Sequence, residues 1–213
     1  MNISSKNSQI IPRTINQQKY VKCLQNPKVP ILISIGPAGC GKTLLACNEG
    51  VSSLKLGTHK KLIITRPAQH VDEEYGFIPG DINNKMDPWM RPLYDSFRYH
   101  FSHSQIDRFK ESGIIEIAPF AYMRGRTFSN SFIIADEMQN ATINQTKMLL
   151  TRLGENSKLV VTGDLDQKDI QHSGLEHFLN LYHDNLEFTK SIFLNETDIL
   201  RHPAVQEIIN LYK

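Results

Sequence analysis

The chain has 213 residues, 40% of them apolar and 22% charged, with a formal net charge of +2. These values fit one globular domain; they exclude a disordered or fibrous chain and give no overall attraction to nucleic acid. Without an apolar run of about 18 residues or a secretion signal, and with three cysteines that form no CxxC pair, we expect a cytoplasmic protein with reduced thiols and no membrane contact.

Short apolar runs alternate with longer amphipathic segments along the chain. The predicted strands are residues 31–35, 61–65, 114–117, 131–135, 158–162 and 188–193. The predicted helices are residues 16–25, 43–55, 88–101, 104–111, 142–153, 173–183 and 203–212. The alternation predicts an α/β fold with a mainly parallel central sheet and helices on both faces. Ligands bind such sheets at the carboxyl ends of the strands, where the motifs below occur.

The domain organisation is predicted to be simple. Residues 1–12 are polar and are expected to form a short flexible tail, and residues 13–213 a single domain. The segment 88–101 is rich in aromatic residues and arginine, which suits base stacking, but we interpret it as an amphipathic helix that packs Leu93, Phe97 and Phe101 on the sheet.

The first motif follows the first predicted strand and opens the next helix. Residues 36–43 match the phosphate-binding pattern GxxxxGK[ST]. Its glycines let backbone N–H groups turn toward an anion, Lys42 would reach the β- and γ-phosphates, and Thr43 would bind Mg²⁺. The sequence predicts a nucleoside-triphosphate site formed by Gly36, Pro37, Ala38, Gly39, Cys40, Gly41, Lys42 and Thr43.

Two adjacent carboxylates follow the strand at 131–135. We expect Asp136 to lie near Mg²⁺ and Glu137 to polarise the attacking water. Two acids after an apolar strand are often only a solvated strand end. The functional interpretation therefore depends on the phosphate-binding loop upstream.

Two glutamines are further candidates for nucleotide contacts. Gln167 lies three residues beyond the strand-end Asp164, where its amide could reach the γ-phosphate; the alternative is a simple turn. Gln17 precedes the first strand and could bond a donor and an acceptor on adenine. A helix-capping role for this segment stays open.

Taken together, these segments resemble the PhoH-like family of P-loop ATPases, relatives of the superfamily 1 helicase core. The resemblance runs from about Arg13 to the C-terminus. Besides the phosphate-binding loop, it rests on residues 65–68, 76–81, 85–95, 118–127, 136–140, 150–154, 163–167, 173–175 and 201–203. Cys40 stands where the family usually has Thr or Ser, a change that a backbone cradle should tolerate.

The resemblance implies a three-layer, RecA-like P-loop NTPase that acts in RNA metabolism and assembles into rings, expected to be hexameric. It places Lys42, Glu137, Gln167 and Arg201 in catalysis and Gln17 at adenine. Arg66, Arg124 and Arg126 are candidates for phosphate or RNA contacts. The chain looks like the compact form of phage-encoded members, without an N-terminal KH-like segment. We therefore expect it in the cytoplasm of a bacterium or of a phage-infected host.

These observations favour an Mg²⁺-dependent ATPase that remodels RNA or single-stranded nucleic acid. Superfamily 1 helicases form the ATP site between two such domains, so a second subunit is expected to complete the site. A nucleotide-switched assembly factor that acts through protein partners would share the same site residues and is the alternative. A small-molecule kinase is disfavoured because no Arg-rich lid is evident.

Overall fold

A six-stranded parallel sheet forms the centre of the fold. The computed structural model describes residues 10–67, 93–118 and 120–200, together with Ala204 and Glu207. The strands are β1 (Ile31–Ile35), β2 (Lys61–Thr65), β3 (Ile115–Ile117), β4 (Ser131–Ala135), β5 (Lys158–Gly163) and β6 (Thr189–Phe193). Their order in the sheet is β3-β2-β4-β5-β1-β6, and each neighbouring pair is parallel. All carboxyl ends therefore lie at one edge.

Within the described residues, five helices flank the sheet, in addition to helical residues at 93–98. Ala204 and Glu207 are also helical. The five helices are α1 (Ile15–Gln25), α2 (Lys42–Lys55), α3 (His103–Glu111), α4 (Ile143–Leu150) and α5 (Gly174–Leu181). Side-chain caps mark where several of them begin: Thr14 accepts from Gln17 N, and Ser102 and Thr142 form capping boxes. Within the described residues, no helix is long and apolar enough to cross a bilayer.

The core is divided by the sheet into two halves, because alternate residues of each buried strand point to opposite faces. Leu32, Ile64 and Val160 pack on one face with α1, α2, α3 and the segment 93–98. Ile33, Ile133 and Val161 pack on the other face with α4 and α5. The fold thus has the three layers, and helices on both faces, that the sequence predicts.

The predicted elements agree closely with the observed ones. Strands 31–35, 61–65 and 131–135 have the predicted bounds, and the other three differ by one residue at an end. The helix predicted at 142–153 already ends at Leu150, where Thr151 Oγ1 bonds to Met148 O at 2.9 Å. Leu93, Phe97 and Phe101 are buried, as the packing interpretation requires. Residues 88–92 and most of 203–212 lie outside the described residues.

Candidate nucleotide-binding site

The loop at 36–43 has a backbone that only glycine fits at key positions. Gly39 and Gly41 have φ of 85° and 92°, in the left-handed region that L side chains avoid. A Cβ on Gly36 would stand 2.6 Å from the carbonyl oxygen of Leu194. Because Gly41 also caps α2, the loop ends at a helix N-terminus, where N–H groups and the helix dipole favour an anion.

Lys42 is folded back into this loop. Its ammonium donates to Gly36 O at 2.6 Å and to Pro37 O at 2.9 Å, and it lies 3.6 Å from Cys40 Sγ. The Cys40 side chain is fully buried, and burial raises the pKa of its thiol. The ammonium thus holds the loop together through carbonyl acceptors that phosphate oxygens can replace.

Asp136 joins the loop to the middle of the sheet. Its Oδ1 accepts a hydrogen bond from Thr43 Oγ1 at 2.6 Å and another from Thr162 Oγ1 at 2.5 Å. Its backbone N–H donates to Thr65 O at 2.9 Å, which fixes the end of β4 against β2. Asp136 and Thr43, distant in sequence, therefore present a carboxylate and a hydroxyl oxygen at one point.

Glu137 begins a short 3₁₀ turn, Met138–Asn140, in a left-handed conformation with φ 55° and ψ 37°. Such a backbone is uncommon for a residue with a side chain and is typical of constrained sites. The carboxylate lies 3.7 Å from Arg66 Nη2 through Oε1, and its Oε2 accepts from Gln139 Nε2 at 2.5 Å.

These groups surround one cavity of about 450 Å³ at the carboxyl edge of the sheet. Gln167, at the end of the 3₁₀ turn Leu165–Gln167, lines the cavity and is exposed. The other lining residues include Ala38, Gly39, Gly41, Lys42, Thr43, Arg66, Asp136, Glu137, Thr162 and Asp164. The structure therefore brings together most of the residues that the sequence singles out. A larger cavity, about 820 Å³, lies at the opposite edge around Lys158 and contains none of them.

Comparison with known proteins identifies the family. The sequence profile described as "PhoH-like protein" matches residues 9–213. The chain belongs to the PhoH-like family. A PhoH-like protein of Synechocystis sp. is 45% identical over 204 residues, covering 94% of this chain and 61% of that protein. One of Bacillus subtilis is 43% identical over 212 residues, covering 98% of this chain and 66% of that protein. The PhoH-like chain therefore spans less than two thirds of the length of these relatives.

The fold of this PhoH-like chain also has a solved counterpart. The helicase domain of Hef from Pyrococcus furiosus superposes with a TM-score of 0.51 at 16% identity, covering 92% of this chain and 40% of that one. At this identity the likeness concerns the fold alone. The chain has the RecA-like P-loop NTPase fold that the sequence predicts.

Gln17, the predicted adenine contact, lies beside the phosphate-binding loop, and protein atoms already engage its amide. Its Nε2 donates to Cys40 O at 3.0 Å and to Asp198 O at 3.2 Å, and its Oε1 accepts from Arg13 N at 2.8 Å. The amide therefore ties α1 to the loop and to the 3₁₀ turn Glu196–Asp198. The adenine contact stays a prediction.

Of the four candidate arginines, Arg66 is the one that lines the cavity among the described residues. Arg126 pairs with Glu116 at 2.5 Å and lies over the ring of Phe128. Arg124 is exposed on the turn after β3. Arg201 lies outside the described residues.

Two contributors to this site carry no signal of their own in the sequence. Thr162 is the fifth residue of a buried strand, and it reaches Asp136 because β5 lies beside β4 in a register that pairs Val161 with Ala135. Gln139 is buried within the turn after Glu137. Gln139 belongs to the block 136–140 of the family resemblance, but the sequence predicts no role for it.

Proposed function

We propose that this PhoH-like chain is an Mg²⁺-dependent ATPase that couples ATP turnover to remodelling of RNA or single-stranded nucleic acid. The observation that carries the ATPase is the 2.6 Å bond from Thr43 to Asp136, beside Lys42 and Glu137. A hydroxyl and a carboxylate oxygen so close together are the hard ligands that suit Mg²⁺, which takes its other ligands from water and phosphate. When bound, Mg²⁺ would polarise the phosphoryl oxygens.

The protein's own groups supply the positioning and charge that phosphoryl transfer needs. Lys42 exchanges its carbonyl acceptors at Gly36 and Pro37 for β- and γ-phosphate oxygens. Glu137 accepts a hydrogen bond from the attacking water and orients it. Arg66 lines the same cavity, 3.7 Å from Glu137, and its guanidinium would stabilise the negative charge that develops on the transferred phosphoryl group.

A turn at the same edge of the sheet supports the nucleic-acid part of the proposal. Phe120 and Met123 are buried and anchor the segment after β3. Between and beside them, Tyr122 is 54% exposed and Arg124 is exposed. An aromatic ring and a guanidinium on a fixed turn suit a base and a backbone phosphate of a single strand.

Steady-state ATP hydrolysis by the wild type and by Glu137→Gln, with and without single-stranded RNA or DNA, tests the proposal. Glu137→Gln is expected to bind ATP but to turn over at least about a hundredfold more slowly, because the amide cannot act as a base toward water. Glu155→Gln is the matched control, since Glu155 is exposed at the amino end of β5. Near-wild-type hydrolysis by Glu137→Gln would contradict the mechanism, and phosphate transfer to a metabolite would favour a kinase.

Two contacts of Glu137 favour a second function, a nucleotide-switched assembly factor. Both carboxylate oxygens of Glu137 already have protein partners, Arg66 and Gln139, an arrangement that suits slow turnover by the isolated chain. Slow hydrolysis that no nucleic acid stimulates, together with protein binding that depends on ATP, would support the switch over the remodelling enzyme.

We also propose that the active form is a homo-oligomeric ring. Superfamily 1 helicases form the ATP site between two RecA-like domains, and the described residues of this chain form one such core. An arginine from the neighbouring subunit, for which Arg201 is the candidate, would complete the charge at the γ-phosphate.

A further inference from the structure

Gln139 is a buried amide that connects the proposed water-orienting carboxylate to the loop at 163–167. It is 1% exposed. Its Nε2 donates to Glu137 Oε2 at 2.5 Å and to Gln167 O at 3.4 Å, and its Oε1 accepts from Asp164 N at 3.1 Å. One side chain thus contacts both the carboxylate and the two ends of the segment that carries Gln167.

The orientation of this amide follows from its partners. The backbone N–H of Asp164 can only donate, so the atom that faces it must be the amide oxygen. The NH₂ group then has to face Glu137 and Gln167 O, both of which are acceptors. A flipped amide would break all three contacts, and the side chain therefore has one arrangement.

The surrounding backbone makes room for this arrangement. A Cβ on Gly163 would lie 3.2 Å from Gln139 Oε1 and 2.4 Å from Leu175 Cδ2. The left-handed conformation of Glu137 turns the chain so that residues 137 and 139 meet. On the other side, Arg66 is 3.7 Å from the carboxylate, so the contact with Gln139 is the closer one.

We propose that Gln139 is a positioning residue that transmits the state of the loop at 163–167 to Glu137. The inference rests on the proposed ATPase. When Gln167 follows a γ-phosphate, Asp164 and the amide of Gln139 move with the loop, and the carboxylate of Glu137 is turned toward or away from the water. A side chain needed only for stability would not have to contact the carboxylate.

The experiment separates kcat from KM for ATP. Gln139→Met keeps the length and removes the hydrogen bonds, and Gln139→Asn keeps the amide but is one methylene too short to span both partners. Both are expected to lower kcat by about tenfold to a hundredfold, as misplacement of a catalytic group does, with KM for ATP within about threefold of the wild type.

Asn140 provides the matched control. It is buried in the same turn, and its side chain holds the segment after β5 through Asp169, with bonds of 2.8 and 3.1 Å. Its contact with Glu137 is a backbone one, from Asn140 N to Glu137 O at 3.1 Å, which a side-chain substitution keeps. Asn140→Ala is therefore expected to lower thermal stability as Gln139→Met does, while keeping kcat within about threefold of the wild type. Equal losses of kcat in the two variants would overturn the inference.

A double-mutant cycle identifies the route. If Gln139 acts through Glu137, Gln139→Met should not slow single-turnover hydrolysis further in the Glu137→Gln background, because the group that it positions is already gone. Additive losses, or a loss confined to KM, would overturn the inference. If the wild type hydrolyses ATP and the Gln139 variants do so equally fast, the positioning role of Gln139 is wrong but the ATPase stands. If the wild type does not hydrolyse ATP, both the proposed ATPase and the role of Gln139 are wrong.

Discussion

One carboxylate oxygen, Oδ1 of Asp136, connects the residues at the proposed Mg²⁺ site. Oδ1 of Asp136 accepts from Thr43 and from Thr162, so two hydroxyls restrict the direction in which the carboxylate points. Thr43 belongs to the phosphate-binding loop and is itself a candidate Mg²⁺ ligand, whereas Thr162 touches only Asp136 within this group. The two hydroxyls therefore have different roles although their hydrogen bonds look alike.

We expect Thr162→Val to raise the Mg²⁺ concentration for half-maximal ATP hydrolysis by about tenfold, since loss of the partner of a metal ligand typically weakens binding by this amount. Titration of Mg²⁺ at saturating ATP measures the effect. Thr65→Val is the control: Thr65 is buried at the end of β2, and its hydroxyl has no hydrogen-bond partner among the described residues. Similar Mg²⁺ curves for Thr162→Val and the wild type would contradict the role of Thr162.

The sequence predicts those site residues that belong to a contiguous motif. It misses the residues that reach the site only through contacts with segments distant in sequence. The loop at 36–43 and the pair Asp136 and Glu137 are recognisable because their spacing is local and the chemistry needs those residue types. Thr162 and Gln139 reach the site through contacts with residues more than 20 positions away. No local pattern distinguishes them from other polar residues in strands and turns.

At the scale of elements, the strands were predictable because each is a short apolar run between turn residues, buried on both faces of a parallel sheet. The ends of helices were harder to predict, because they depend on single backbone hydrogen bonds. At the end of α4, for example, Arg152 N donates at 2.9 Å to Leu149 O, only three residues back. The role of Lys158 could not be predicted. It opens β5, yet its ammonium turns inward and donates to Cys23 O, Asn26 O and Val29 O at 2.7–3.0 Å.

Lys158 therefore binds the C-terminal end of α1 to the sheet. Burial lowers its pKa to about 8, a cost that the three carbonyl acceptors offset. Lys158→Met keeps the apolar stem and leaves these carbonyls without their donor. We expect a loss of about 2 kcal/mol in the free energy of unfolding, measured by urea denaturation.

The matched control for this prediction is Lys190→Met in the edge strand β6. Its ammonium makes one exposed bond, to Asp184 O at 3.2 Å, so its loss should cost less than about 0.5 kcal/mol. Equal free energies of unfolding for the two variants would show that Lys158 does not stabilise the packing of α1 on the sheet.

At the scale of the molecule, the carboxyl edge of the sheet gathers the proposed chemistry on one side. The phosphate-binding loop follows β1, Arg66 follows β2, the carboxylates follow β4 and Gln167 follows β5. The exposed turn with Tyr122 and Arg124 follows β3 at the same edge. Topology thus explains how residues far apart in sequence come to share a site, and it was predictable once the strands alternated with helices.

In the proposed ring, each active site contains residues of two neighbouring subunits. Mixing two inactive variants tests this arrangement. Arg201→Ala should lack the arginine for its neighbour's site, and Glu137→Gln should lack its own carboxylate but keep the arginine. Each is expected to be nearly inactive alone, whereas an equimolar mixture of co-refolded or exchanging subunits should regain about a quarter of wild-type activity, because one interface in four then has both groups. Measurement of the molecular mass with and without ATP shows in parallel how many subunits assemble. A mixture that is no more active than its components would contradict a shared site. A monomer with full activity would do the same, because each subunit would then hydrolyse ATP by itself.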